Sequence, residues 1–262
     1  MQNLKPLKRF GQNYLLDQNI LKKIVEEFNI LPGDNLVEIG PGQGALTKLL
    51  LEKVNKVTAV EIDNRVTEDL LEKFPGIELI NDDFLKIDLQ KLIQNPGQKL
   101  RVAGNIPYNL TSPIIFKLIK SHEIVQDAIL MVQHEVAKRM NGKKGTKDYG
   151  IFSIILQLFS DVEYCFKVSP NVFYPKPKVH SAVVHIRFKE LNISQEVKDS
   201  FIQIVKASFG NRRKTLKNSL SNSIFSKINF ADSGIDLKLR AEQLEIGDFL
   251  ILAEFARKNL NS

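Results

Sequence analysis

The sequence has few of the residues that build disulfides and metal sites. Of its 262 residues one is cysteine, four are histidine and none is tryptophan. The single cysteine, Cys165, excludes an intramolecular disulfide, and its apolar neighbours predict a buried position in a strand. The four histidines are scattered, with no spacing typical of zinc ligands, so we expect no metal.

Long apolar stretches are also absent. The chain has no run of about 18 apolar residues, and its basic segment 1–10 has no apolar core of signal-peptide length. We therefore expect a soluble, cytoplasmic protein with no membrane partner.

Acidic residues are the minority among the charged ones. Lysine and arginine number 37 against 30 aspartates and glutamates, which gives a formal net charge of +7. A positive surface suits a polyanion such as nucleic acid, because neutralising phosphates releases counterions. Simple solubility is the alternative reading of this charge.

Helical and strand patterns alternate along most of the chain. The length and the 43% apolar content permit either one large domain or two unequal ones. Successive strand–helix–strand crossovers build a parallel sheet. The predicted elements are a helix at 17–28, a strand at 36–39, a helix at 45–51, a strand at 57–62, a helix at 65–74, strands at 77–80 and 100–104, a helix at 112–120, a strand at 128–132 and helices at 134–140 and 151–159.

The hydrophobic periodicity of the sequence changes after residue 188. Two runs without helical period, at 162–168 and 179–188, predict a strand pair at the far edge of the sheet. Helix-period segments follow from about residue 189. We therefore predict an α/β domain at 1–188, with an N-terminal arm, and a smaller helical domain at 189–262.

A glycine-rich turn connects the first predicted strand to the next helix. It reads Glu38-Ile-Gly40-Pro-Gly42-Gln-Gly44, with glycines in a G-x-G-x-G frame that lets a ligand lie against bare backbone. A nicotinamide dinucleotide turn would read G-x-G-x-x-G. The observed frame and Glu38 resemble the S-adenosylmethionine-binding turn of Rossmann-like class I methyltransferases; a purely structural turn is the alternative.

Acidic residues follow the next two strands. Glu61 ends the second strand, at the distance where a Rossmann-type site places its ribose-binding acid, and Asp83 ends the third, within reach of an adenine amine. Either acid alone could be a solvated loop residue. Together with the glycines they predict one pocket at the carboxyl edge of the sheet.

The fourth strand ends in Asn105-Ile106-Pro107-Tyr108, which faces the same edge. Hydrogen bonds from an adenine amine to the Asn105 side-chain oxygen and the Ile106 carbonyl would aim the nitrogen at a sulfonium methyl without a strong base. Tyr108 could stack on the base and stabilise developing positive charge. Phe173 is either a second aromatic wall for that base or a core residue that anchors a proline-rich turn.

Two basic segments are candidates for contact with RNA phosphates. One is the glycine-bearing loop 141–150, and the other is the densest basic cluster of the chain, at 211–217. A solvated surface is the alternative for both. The candidate residues are Lys143, Lys144, Lys147, Arg212, Arg213, Lys214 and Lys217.

Several of these motifs together resemble one family, the small-subunit ribosomal RNA adenine dimethyltransferases of the KsgA type, over essentially the whole chain. The resemblance implies transfer, from S-adenosylmethionine, of two methyl groups to N6 of each of two neighbouring adenosines in the 3′-terminal hairpin of small-subunit rRNA. It also implies action late in assembly of the 30S particle, and we expect a monomer. The matching motifs are residues 9–15, 38–44, 104–109, 147–150, 173–179 and 207–220.

The same resemblance assigns roles to individual positions. It implies that Asn13 and Leu15 contact the methionine part of the cofactor, and that Gly40 forms the turn. It further implies that Glu61 binds the ribose, that Asp83 binds the adenine, and that Asn105 contacts both the cofactor edge and the target amine.

Three other functions are compatible with parts of the sequence. An Erm-type methylase of large-subunit rRNA shares the Asn-Ile-Pro-Tyr turn, but the Arg-Arg-Lys-Thr-Leu stretch at 212–216 disfavours it. A non-catalytic RNA-binding assembly factor would not need the intact glycines and acids. A nicotinamide-dependent oxidoreductase is disfavoured by the glycine frame.

Overall fold

The computed structural model describes residues 6–7, 11–94, 97–211 and 213–260. The chain divides into two compact units. The first comprises Met1–Ala137 and Asp161–Lys189, and the second comprises Lys138–Ser160 and Glu190–Ser262.

Nine strands and nine α-helices lie in the described residues. The strands are β1 Tyr14–Leu15, β2 Asn35–Ile39, β3 Val57–Val60, β4 Ile77–Ile80, β5 Leu100–Asn105, β6 Val125–Gln133, β7 Ser160–Val168, β8 Phe173–Tyr174 and β9 Ser181–Phe188. The helices are α1 Gln18–Phe28, α2 Ala45–Leu51, α3 Thr67–Lys73, α4 Thr111–Lys120, α5 His134–Met140, α6 Ile151–Phe159, α7 Gln195–Ser208, α8 Leu216–Ser221 and α9 Ile246–Leu260.

The main sheet has seven strands in the order β4-β3-β2-β5-β6-β9-β7. Every pair from β4 to β6 is parallel, whereas β9 runs antiparallel to β6. This confirms the predicted Rossmann-like sheet, with its antiparallel strand pairing near the far edge. Because the parallel strands share one direction, the carboxyl ends of β2 to β5 meet at a single edge.

A second, two-stranded sheet ties the N-terminal arm to the segment before β9. β1 pairs antiparallel with β8, so that Tyr14 opposes Tyr174 and Leu15 opposes Phe173. Opposed residues share a face of such a ribbon. Leu15 and Phe173 are 4% and 5% exposed and pack into the hydrophobic core, so the two tyrosines lie on the other face. The sequence patterns predicted neither of these strands.

A buried ionic cluster closes the opposite, amino edge of the sheet. Arg101 on β5 donates hydrogen bonds to both carboxylate oxygens of Asp127 on β6, at 2.8 and 2.7 Å, and to Asp34 at 2.6 Å. Arg187 donates to Nδ1 of His185 at 2.9 Å, so the ring uses Nε2 to donate to Asp127 at 2.7 Å. Burial alone would raise the pKa of Asp127, but the hydrogen bonds from Arg101 and His185 hold it below its usual value.

The second unit is helical, and its first segment differs from the predicted domain boundary. The sequence pattern placed residues 138–160 in the α/β domain, whereas α6 packs against α7 and α9. The physical reason is that α6 is mostly apolar and these two helices offer it apolar partners. Aromatic rings fill this core, with Phe230 against Phe225 and Phe255 at centroid distances of 6.2 and 5.7 Å.

Two smaller observations complete the fold. The helix that the sequence placed at 112–120 begins at Thr111, because a 3-10 turn at Tyr108–Leu110 leads directly into it. Ser112 therefore lies in the first turn of α4. Among the described residues, no helix has the length and apolarity needed to cross a membrane.

Candidate active site

A cavity of about 420 Å³ lies in the first unit at the carboxyl edge of the sheet. Its walls come from the N-terminal arm and from the loops that follow β2, β3, β4 and β5. The structure thus brings together nearly all the residues that sequence reasoning selected for cofactor and base. Those that line the cavity are Asn13, Leu15, Gly40, Gly42, Glu61, Asp83, Asn105, Ile106, Pro107 and Tyr108.

The glycine turn requires glycine at each of its three positions. Gly40, Gly42 and Gly44 have φ angles of 65°, 57° and 81°, in the left-handed region that disfavours side chains. A Cβ on Gly42 would lie 2.9 Å from the Tyr14 ring, and one on Gly44 would lie 2.2 Å from the Phe74 ring. Apart from the chain neighbours of Gly40, no atom of the described residues lies within 4 Å of a Cβ built on it, so bare backbone borders open space there.

Two buried carboxyl groups stand behind this turn. Glu61 accepts the backbone N–H of Gly42 at 3.0 Å on one oxygen and that of Asp63 at 2.8 Å on the other. Each oxygen retains a further lone pair for a ligand hydroxyl. Burial raises the pKa of Glu61, and it raises that of Glu38, which accepts from Thr47 at 2.6 Å, to about 8.

The N-terminal arm connects the two halves of the cavity. Gln12 donates to Asp63 at 3.0 Å beside the glycine turn, and the Asn13 carbonyl accepts from Asn105 Nδ2 at 2.8 Å at the end of β5. The next residue of the arm, Tyr14, has a buried hydroxyl with no hydrogen-bond partner among the described residues. Burial, followed by the negative charge of Asp63, raises the pKa of this hydroxyl to about 12.

An arginine stabilises the ionised form of Asp63. Arg65 Nε donates to it at 2.8 Å, and this pairing lowers the pKa of Asp63 to about 2. The Asp63 side chain is 1% exposed, so a fixed negative charge lies directly under the arm.

The Asn105 to Tyr108 turn is held on both sides. Because the Asn105 amide donates to the Asn13 carbonyl, its Oδ1 remains as an acceptor. The Tyr108 hydroxyl lies 2.7 Å from Oγ of Ser181, a fully buried residue that begins β9. The ring of Tyr108 is therefore fixed from its far end.

Both acids after β4 accept backbone N–H groups in the turn that follows the strand. Asp82 accepts the backbone N–H of Asp83 at 2.7 Å, which is a turn-capping contact. Asp83 accepts the N–H of Leu85 at 2.9 Å through Oδ1, and both acids line the cavity.

Phe173 is the predicted site residue that the structure places elsewhere. It does not line the cavity, and its side chain is 5% exposed within the core cluster. Its burial agrees with the alternative reading, a core residue that anchors the proline-rich turn. The cause is strand alternation, which directs Phe173 inward and its neighbour Tyr174, 56% exposed, outward.

The predicted phosphate-contacting residues that the structure describes belong to the second unit. Lys143, Lys147, Arg213, Lys214 and Lys217 are exposed there, and Arg212 lies outside the described residues. Lys144 forms an ion pair with Glu245 at 3.0 Å, so its charge is partly neutralised.

Sequence reasoning missed Gln12, Tyr14 and Asp63 as parts of the site. The only available signal was the adjacency of the first two to Asn13 in the N-terminal motif. Among the described residues, no group of three or more histidine, cysteine, aspartate or glutamate side chains could hold a metal ion.

The comparisons with known proteins agree with this geometry. The family model for ribosomal RNA adenine dimethylase matches residues 3–258. The chain belongs to the ribosomal RNA adenine dimethylase family. It is accordingly an S-adenosylmethionine-dependent methyltransferase, as the glycine frame predicted.

Relatives match over nearly their full length. The chain is 46% identical to ribosomal RNA small subunit methyltransferase A of Chlorobium phaeobacteroides, covering 94% of this chain and 91% of the relative. It is 43% identical to the protein of the same name from Francisella tularensis, covering 96% and 97%.

Two solved structures are similar. A dimethyladenosine transferase from Plasmodium falciparum has a TM-score of 0.76 at 28% identity, covering 94% of this chain and 98% of the other. The 23S rRNA methyltransferase ErmE has a TM-score of 0.66 at 26% identity, covering 93% and 99%.

The cavity fits the cofactor of this family. Open space at Gly40, two acids with spare lone pairs at Glu61 and Asp83, and the orphaned Tyr14 hydroxyl together offer partners for a polar ligand beside bare backbone. When bound, S-adenosylmethionine supplies an electrophilic methyl group on a sulfonium centre.

Proposed function

We propose that the chain dimethylates N6 of two adjacent adenosines in the 3′-terminal hairpin of small-subunit rRNA, late in assembly of the 30S particle. The observation that carries this proposal is the convergence of the glycine turn, Glu61, Asp83 and Asn105 on one cavity. The small-subunit target is supported by relatives of that name at 43% and 46% identity.

The cofactor half of the cavity, formed by the glycine turn with Glu61 and Asp83, binds and orients S-adenosylmethionine. Glu61 accepts the ribose hydroxyls while its contacts with Gly42 and Asp63 hold the carboxylate still. Asp83 accepts from the adenine amine of the cofactor. Asn13 and Leu15 cover the methionine part from the arm, and Gly40 allows close approach of the backbone.

The base half of the cavity, formed by residues 105–108, directs the adenine amine, a weak nucleophile, towards the methyl group. The amino nitrogen of adenine donates its two hydrogens to Asn105 Oδ1 and the Ile106 carbonyl, which favours a pyramidal nitrogen with its lone pair directed at the methyl carbon. Bound S-adenosylmethionine would supply the methyl group to this nitrogen, with its thioether as the leaving group, and the nitrogen would release a proton to solvent. Tyr108 stacks on the base and stabilises its binding by roughly 1 to 3 kcal/mol. The acceleration of methyl transfer comes from the orientation of the amine and from fixed dipoles.

The second unit supplies RNA contacts in this proposal. Arg213, Lys214 and Lys217 are exposed and, with Lys143, Lys144, Lys147 and Arg212, would meet phosphates without reading sequence. The predicted division of labour is thus a cofactor-binding α/β domain and a helical RNA-binding domain. We further propose that the protein acts as a monomer in the cytoplasm, where subunits assemble.

A large-subunit target is the second candidate, because ErmE shares the fold. The experiment that separates the two uses tritiated S-adenosylmethionine with unmethylated small and large subunits. We expect label on small-subunit RNA, recovered as dimethyladenosine after nuclease digestion. Label on large-subunit RNA alone would overturn the proposal.

Asn105 is tested in the same assay. Asn105→Ala is expected to lose turnover while retaining part of its cofactor affinity, because it removes the acceptor for the target amine but leaves the glycine turn and both acids. Equal loss of turnover and of S-adenosylmethionine binding, measured by calorimetry, would contradict its role at the base.

A further inference from the structure

A short surface segment, residues 174–180, leads from β8 to β9 and is connected at both ends to residues that line the cavity. At its start, Tyr174 pairs with Tyr14, whose ring contacts the glycine turn and lines the cavity. At its end, it enters Ser181, which holds the hydroxyl of cavity-lining Tyr108. This segment, called here the rim segment, therefore runs from the cofactor half of the cavity to the base half.

Tyr174 lies on the outward face of the β1–β8 ribbon, away from the hydrophobic core. Tyr14 and Tyr174 are opposed in register and share one face, while Leu15 and Phe173 occupy the core face. Tyr174 thus lies on the same face as the cavity-lining Tyr14, and its side chain is 56% exposed. A large aromatic ring left this open is a ready stacking surface.

The chemistry of the rim segment suits a polyanion. Lys176 and Lys178 are both exposed, and neither forms an ion pair within the described ranges of the chain. The whole stretch 169–180 contains no acidic residue. Pro175 and Pro177 fix their own φ angles, so little backbone entropy remains to be lost when a ligand binds.

We infer that the rim segment binds the single-stranded RNA next to the target adenosine, with Tyr174 stacked on a flanking base and Lys176 and Lys178 on phosphates. This inference rests on the proposed function. An adenosine that enters the cavity must leave its stack, and its neighbours then pass over the mouth of the cavity. An aromatic ring interleaved with lysines is the arrangement that holds unstacked nucleotides without reading their sequence.

The inference is tested with two variants and matched controls. Lys176→Gln combined with Lys178→Gln should reduce the dependence of log Kd on log salt by about 1.4 for single-stranded contacts. Tyr174→Leu should weaken binding of the hairpin RNA roughly tenfold, while Tyr174→Phe should retain it because the ring remains. Lys22→Gln combined with Lys48→Gln removes equal charge from exposed positions on α1 and α2 and serves as the control.

The outcomes separate this inference from the proposed function. The wild-type protein is assayed first for RNA binding and for methyl transfer to unmethylated small subunits. Failure of the wild-type protein in both overturns both proposals. If wild type succeeds and the rim variants match the Lys22 and Lys48 control in affinity, salt slope and KM for RNA, the inference alone is overturned. Unchanged cofactor affinity in all variants is the expected sign that the cavity itself is intact.

Discussion

The hydrogen bond between Tyr108 and Ser181 makes a quantitative prediction. Ser181 is fully buried and its Oγ lies 2.7 Å from the Tyr108 hydroxyl. Ser181→Ala leaves a half-buried phenol without its partner, and Tyr108→Phe leaves a buried serine hydroxyl unpaired, each at a cost of about 1 to 3 kcal/mol. The double variant removes both partners, so its cost should fall short of the sum by about 1 kcal/mol.

The same coupling should be present in the methyl transfer rate if the bond positions the ring for the base. Each single variant should slow single-turnover transfer by roughly fivefold to tenfold, and the double variant should be no slower than the worse single one. The assay is methyl transfer from labelled S-adenosylmethionine to small subunits, with urea unfolding of each variant in parallel. Rate effects that multiply in the double variant would refute the reasoning, and so would coupling in stability without coupling in rate.

Three further predictions follow from the site. Gly42→Ala would place a Cβ 2.9 Å from Tyr14 at a φ of 57° and should weaken S-adenosylmethionine binding in calorimetry. Gly33 also has a positive φ, but a Cβ there would meet no atom of the described residues within 4 Å beyond its chain neighbours, so Gly33→Ala should cost stability alone. The pKa of Asp63 falls from 3.8 to about 2 on folding, so it contributes stability that is complete above its unfolded pKa and is lost as pH falls towards 2. Asp63→Asn should remove this contribution of about 2 kcal/mol to the free energy of unfolding. In urea unfolding between pH 2 and 6, the difference in unfolding free energy between wild type and variant should shrink only below about pH 4. A difference that stays constant over this range would contradict the pairing with Arg65. Replacement of Arg213 and Lys214 by glutamine should flatten the salt dependence of RNA binding, and an unchanged slope would leave them as solvated surface charges.

The parallel sheet and the cavity lining were predictable because their signals are local. Short apolar runs between turns mark buried strands. Gly40, Glu61 and Asn105 follow such runs directly, and Asp83 follows one after two intervening residues. Once the strands are parallel, their carboxyl ends must share an edge. The convergence of these four residues therefore follows from the order of elements without knowledge of any long-range contact.

Other features depend on contacts between distant segments and left no periodic trace. β1 and β8 have two residues each and are held by backbone pairing across about 160 positions, so no side-chain pattern marks them. The choice between Phe173 and Tyr174 as the outward ring is set by that pairing register. Likewise, α6 is apolar enough to be buried in either unit, and only its contacts with α7 and α9 decide which.

The ionic cluster at the amino edge of the sheet controls how much folded enzyme is present, and not how fast each folded molecule works. Arg101, Asp127 and His185 lie towards the end of the strands opposite the cavity, and they are not among its lining residues. Loss of Asp127 would leave the Arg101 charge buried, at a cost on the order of 3 to 5 kcal/mol. Such a change would deplete the folded population in a cell, while each surviving molecule would keep its rate per turnover. A substitution there should therefore lower cellular activity only by lowering the amount of folded enzyme, and raising expression should restore that activity.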